Sequence, residues 1–115
     1  MTAKNQNITI MQGNRVDLEI PVVDRDGEPV EAPEAEAVYK LAKTVSADPL
    51  VHKTNRNGIT ISQEDDALLL WIVLQPEDTA ELDAGVYYHE TQLTVTDYPF
   101  TVMRGMVTVE ETLIS

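Results

Sequence analysis

Cysteine is missing altogether from this sequence. Its absence excludes disulfide staples, thiolate zinc sites, iron–sulfur clusters and any thiol nucleophile. Histidine is nearly as scarce: His52 and His89 are the only imidazoles, too few for a four-ligand zinc site without carboxylates. Basic residues are outnumbered, 8 Lys and Arg against 20 Asp and Glu, for a net charge of −12. So acidic a chain repels the phosphate backbone, which argues against a nucleic-acid partner. Aromatic residues amount to one Trp, four Tyr and one Phe. The longest apolar run, Ala67 to Leu74, falls far short of the roughly 20 residues of a membrane helix, so no membrane role is expected. Residues 1 to 7 are polar, without the apolar stretch of a secretory signal. They read as a flexible N-terminal arm. The expected product is soluble and made in a cytosol, and it could still leave by lysis within a particle.

What is present is an alternation of period two over a chain of 115 residues, the length of one domain. Val16, Leu18, Ile20 and Val22 fall on one face of a strand, with Arg15, Asp17 and Glu19 on the other. A shorter strand over Asn7 to Met11 precedes it across a Gly13-Asn14 turn. Ala35, Ala37, Tyr39 and Leu41 alternate again, although Ala and Glu there would also suit a helix. Short strands flank Asn55-Arg56-Asn57-Gly58, and Ala67 to Leu74 is apolar at every position, as expected of a central strand covered on both sides. Strands over Val86 to Val95 and Phe100 to Val109 complete the set. Pro76 to Leu82 departs from the alternation, with Pro at a first helical position and acidic residues in the first turn. The pattern predicts one all-β domain over residues 1–115, an antiparallel β-sandwich of seven or eight strands with one short helical turn.

Two groups of residues resemble known families. Asp83-x-Gly85-x-Tyr87, just after the helical turn, resembles the tyrosine corner of immunoglobulin-like sandwiches. The Cys that follows two residues later in antibody domains is His89 here, and Trp71 stands on the fifth strand instead of the third. The implied fold is Ig-like, of a kind other than an immune domain. A wider pattern combines Gly13, Asp24-x-Asp26-Gly27-x-Pro29-Val30, Gly58-Ile59-Thr60-Ile61, the corner motif, and Arg104-Gly105-x-Val107-x-Val109. It is similar to the small Ig-like virion proteins of tailed bacteriophages, including the N-terminal domain of baseplate upper proteins. That resemblance implies a virion component docking on capsid, neck or tail proteins, with Gly13, Asp26, Gly27, Asp83, Gly85, Tyr87, Arg104 and Gly105 as structural signature residues.

The candidate chemical sites are weak beside their structural readings. Asp24-x-Asp26-Gly27-Glu28 invites calcium, but Pro29-Val30 follow and no Glu closes a twelve-residue loop; Asp-Gly between strands is a common hairpin device. Glu64-Asp65-Asp66 reads as a solvated turn, with a metal role involving Glu90 or Asp97 as the alternative. Ser46, Ser62 and Ser115 lack a nucleophile elbow, and a sandwich of this size rarely forms a cleft that raises a carboxylate's pKa. No enzyme activity, cofactor or metal is therefore expected. Trp71 could be a sugar-stacking platform, but its apolar neighbours favour a place in the core. Tyr88 points to the face opposite Tyr87 and is the better surface aromatic.

Charge distribution points to partners. Residues 37 to 62 hold Lys40, Lys43, Lys53 and Arg56 against Asp48 alone, whereas the remainder has 4 basic and 19 acidic residues. A basic edge on an acidic body suits head-to-tail contact between copies or docking on a complementary neighbour. The alternative is that nearby acids balance these cations. Lys40, Lys43, Lys53, Arg56 and Tyr88 are the candidate interaction residues. The expected function is a non-enzymatic structural component of a tailed-phage virion, present in many copies or as a homo-oligomer, most simply a capsid decoration or cement protein. A neck, tail or baseplate fitting comes next, and a carbohydrate-binding module is the alternative from another class.

Overall fold

The computed structural model describes residues 4–23, 26–28, 34–65, 67–95 and 97–113. Among these residues nine strand segments and one short helix run in the order β1 (Lys4–Asn5), β2 (Ile8–Met11), β3 (Val16–Val22), β4 (Glu36–Ala42), β5 (Val51–Thr54), β6 (Ile59–Gln63), β7 (Leu68–Leu74), α1 (Pro76–Ala80), β8 (Gly85–Val95) and β9 (Tyr98–Glu110). They form two sheets. The larger has the order β1–β9–β8–β4–β5, with β2 continuing β1 along the same edge of β9; the smaller is β3–β7–β6. This is an Ig-like β-sandwich, and the helical turn stands where the chain crosses from β7 to β8.

The alternation seen in the sequence is what builds the core. Leu18, Ile20 and Val22 of β3 and Leu68, Leu70, Ile72 and Leu74 of β7 face inward from the small sheet. They meet Ala37, Tyr39 and Leu41 of β4, Tyr87 and Leu93 of β8, and Val107 and Val109 of β9. The Ala-rich segment is strand β4, because its partner β8 and the buried Tyr39 and Leu41 outweigh the helical preference of Ala and Glu. Gly13, at φ 76°, takes the left-handed turn between β2 and β3 that a side chain would strain. The Asn55–Gly58 turn makes a corner, carrying the chain from β5 in the large sheet to β6 in the small one. At the second corner the Tyr87 hydroxyl donates to the Asp83 carbonyl at 2.7 Å, the tyrosine corner expected from the sequence.

The strands pair antiparallel, as expected of the sandwich, apart from β1 and β2, which run parallel to β9. Two expectations are corrected. The N-terminal arm is, from Lys4 onward, part of the sheet: Gln6 N–H donates to the Arg104 carbonyl at 2.9 Å and β2 continues the ladder. Strand β7 is covered on one face only. It is the centre of a three-stranded sheet, and its other face turns outward, leaving Trp71 41% exposed instead of in the core. Asp24, Pro29, Val30, Asp66 and Ser115, which figured in the sequence motifs, lie outside the described residues.

Candidate docking groove

The outer face of the large sheet is open. Outward side chains of β4 (Val38, Lys40, Ala42), β8 (Tyr88, Glu90, Gln92) and β9 (Arg104, Met106) floor a depression of about 790 Å³. One wall is the 44–49 loop, from which Val45 projects into solvent; Asn5 and Asn7 form the other.

Register places charge in a line across this floor. Lys40 lies opposite Glu90, and Glu90 opposite Arg104, so a cation, an anion and a cation stand on adjacent strands about 4.8 Å apart. Among the described residues the close ion pairs are Arg15–Asp17 and Lys53–Asp78, so none of the three charges of this line is locked in one. Next to the line, Tyr88 lies opposite Met106. These two side chains are 40% and 44% exposed, and with Ala42 and Val45 they give one end of the groove an apolar surface.

The wall at Asn5 and Asn7 is held by a node beneath it. His89, 3% exposed, faces inward from β8. Its Nε2 lies 2.7 Å from the Gln6 carbonyl and its Nδ1 3.0 Å from the Tyr39 hydroxyl. A carbonyl only accepts, so Nε2 carries the proton and the Tyr39 hydroxyl donates to Nδ1 of the neutral ring. Burial pushes the His89 pKa down, against the opposing pull of the Gln6 carbonyl, and pushes the Tyr39 phenol far up. Gly105, opposite His89 on β9, completes the node: a Cβ there would land on the Gln6 carbonyl. The Asn7 side chain accepts from Met106 N–H at 2.9 Å. The close passage of the N-terminal segment over β9 thus depends on the glycine in Arg104-Gly105.

The candidate interaction residues are dispersed. Lys40 and Tyr88 meet in the groove. Lys43 stands 4.6 Å over the Tyr87 ring. Lys53 is bound to Asp78 of α1 at 2.8 Å, and Arg56 is exposed on the β5–β6 corner. Sequence reasoning placed Arg104 among the structural residues and missed Glu90 and Met106 as groove residues. The available signal was that Met106 is apolar on the outward parity of β9. In the acidic turn after β6, Ser62 Oγ donates to Glu64 at 2.9 Å. Among the described residues no three His, Asp or Glu stand close enough to hold a metal ion.

No family model matches the chain, and no curated protein matches it at a significant level. Solved structures do. InlP of Listeria monocytogenes aligns over 94% of this chain and 28% of its own, with 17% identity and a TM-score of 0.44. A 2,6-sialyltransferase of Photobacterium sp. JT-ISH-224 aligns over 95% of this chain and 18% of its own, with 13% identity and a TM-score of 0.40. The chain spans less than a third of either protein.

Proposed function

We propose that this chain is a non-enzymatic docking module that seats on a neighbouring protein through the outer face of its larger sheet. The observation that carries the reading is the Lys40–Glu90–Arg104 line, two cations to one anion and none in a close ion pair among the described residues, beside exposed Tyr88 and Met106. Charged groups aligned next to an aromatic and a methionine supply register and on-rate from the first set and burial from the second. The resemblance of the turn and strand motifs to small Ig-like phage proteins gives the neighbour its class: another virion protein, with capsid decoration as the favoured position and the neck, tail or baseplate as the next.

The line also bears on how copies are arranged. In a face-to-face dimer with its two-fold axis through the middle of the line, Glu90 meets Glu90 of the second copy. Such a self-complementary contact is disfavoured, and a surface that sets acids against Lys40 and Arg104 is favoured. Many copies would then be ordered by the particle or by head-to-tail contact.

Light scattering of the purified protein, alone and mixed with particles that lack it, tests this. The expected outcome is stoichiometric uptake, and a Lys40→Glu/Arg104→Glu double variant should bind at least about tenfold more weakly. A Trp71→Ala variant, altered on the opposite face, should bind as the parent does. A protein that ignores the particles, or a double variant that binds normally, would overturn the proposal.

A further inference from the structure

The outer face of the smaller sheet carries a surface that the docking groove does not use. Along β7 the outward side chains are Leu69, Trp71 and Val73, an apolar strip roughly 14 Å long at strand spacing. Polar side chains border it on both sides. Asp17 and Glu19 of β3 lie opposite Val73 and Trp71, and Thr60 and Ser62 of β6 lie opposite Trp71 and Leu69. Arg15 grips the Asp17 carboxylate through Nε at 2.8 Å and a terminal nitrogen at 3.4 Å. Arg15, foremost, and Trp71, to a smaller degree, hold the Asp17 carboxyl below the usual carboxylate range.

We propose that this strip binds a neutral β-1,4-linked hexopyranose strand, one ring of which stacks on Trp71 while its hydroxyls bond to Asp17, Glu19 and Thr60. A pyranose with equatorial substituents has C–H groups on both faces and hydroxyls around its rim. It therefore matches an exposed indole set in a strip with acceptors and donors along both margins. Charge selects the neutral class. Asp17 is paired with Arg15, Glu19 forms no ion pair among the described residues, and a net charge of −12 repels uronate or sialylated chains. An apolar protein segment fits less well, because a flat open strip gives no enclosed pocket to desolvate an anchor.

Trp71 is the only tryptophan in the chain, so intrinsic emission reports this site alone. Cellohexaose and chitohexaose are titrated at neutral pH, with polygalacturonate and a hexalysine peptide in parallel. The expected result is a saturable shift for a neutral hexasaccharide in the millimolar range or tighter, and none for polygalacturonate. By calorimetry, Trp71→Ala should weaken binding at least about tenfold and Asp17→Asn by about two- to fivefold. Thermal melts establish that the variants fold, and Lys40→Glu on the opposite sheet should bind sugar unchanged. No shift with either neutral hexasaccharide, binding that survives Trp71→Ala, or a response confined to hexalysine would each overturn the assignment. The last result would assign the strip to a basic protein segment.

Discussion

The Tyr87 hydroxyl bonds backward over four residues to the Asp83 carbonyl and fixes the angle at which the chain enters β8. Tyr87→Phe keeps the packing and leaves that part-buried acceptor without its donor. Urea unfolding should show a loss of about 1 kcal/mol with an unchanged slope. His89 makes a different prediction. Its pKa is held below the ordinary histidine value because the ring is buried, so the folded state takes up its proton later than the unfolded chain. Its contribution is complete above the unfolded pKa of about 6.5 and is lost as pH falls from there toward the lowered folded value. The unfolding midpoint should therefore begin to drop as pH falls below about 6.5, where ordinary carboxylates are still ionised. In His89→Gln, which keeps an N–H for the Gln6 carbonyl, that slope should flatten.

Among the elements, β5 and α1 are tied by one contact. Lys53 reaches from the edge strand to Asp78, which also accepts from the Gln75 N–H at 2.7 Å, and both charged side chains are largely covered. A double-mutant cycle of Lys53→Ala and Asp78→Ala should give a coupling of about 1 kcal/mol, at the top of the range of exposed pairs. The strands themselves were legible because inward and outward residues alternate cleanly in β3 and β4, and the corner because Asp83, Gly85 and Tyr87 carry a specific geometry. The run from Leu68 to Leu74 was misleading. Continuous apolarity cannot separate a strand buried on both faces from one whose outer face is apolar and wet, and exposing Leu69, Trp71 and Val73 is tolerable for a fold. The groove was illegible for another reason. Lys40, Glu90 and Arg104 become neighbours only through the registers of β4 with β8 and β8 with β9, which no local pattern encodes.

At the scale of the molecule, an acidic body exposes a line with two cations and one anion on one broad face and a Trp-centred strip on the other. If the first face docks on acidic neighbours, the association rate on immobilised particles should fall about tenfold between roughly 0.05 and 0.5 M salt, with a smaller change in dissociation. The parallel edge pairing has a consequence for how the chain acquires this shape. Residues 8–11 find their partners at 107–110, nearly the full length of the sequence away. During synthesis the first strand must wait, with its hydrogen-bonding groups unpaired, until the last has been made. Closing so long a loop adds little to the equilibrium cost, which grows only with the logarithm of length, but it places this edge late in folding. The wall of the docking groove, with Gln6 over Gly105, is therefore among the last parts to form. A chain shortened at β9 would lose its first strand along with its last.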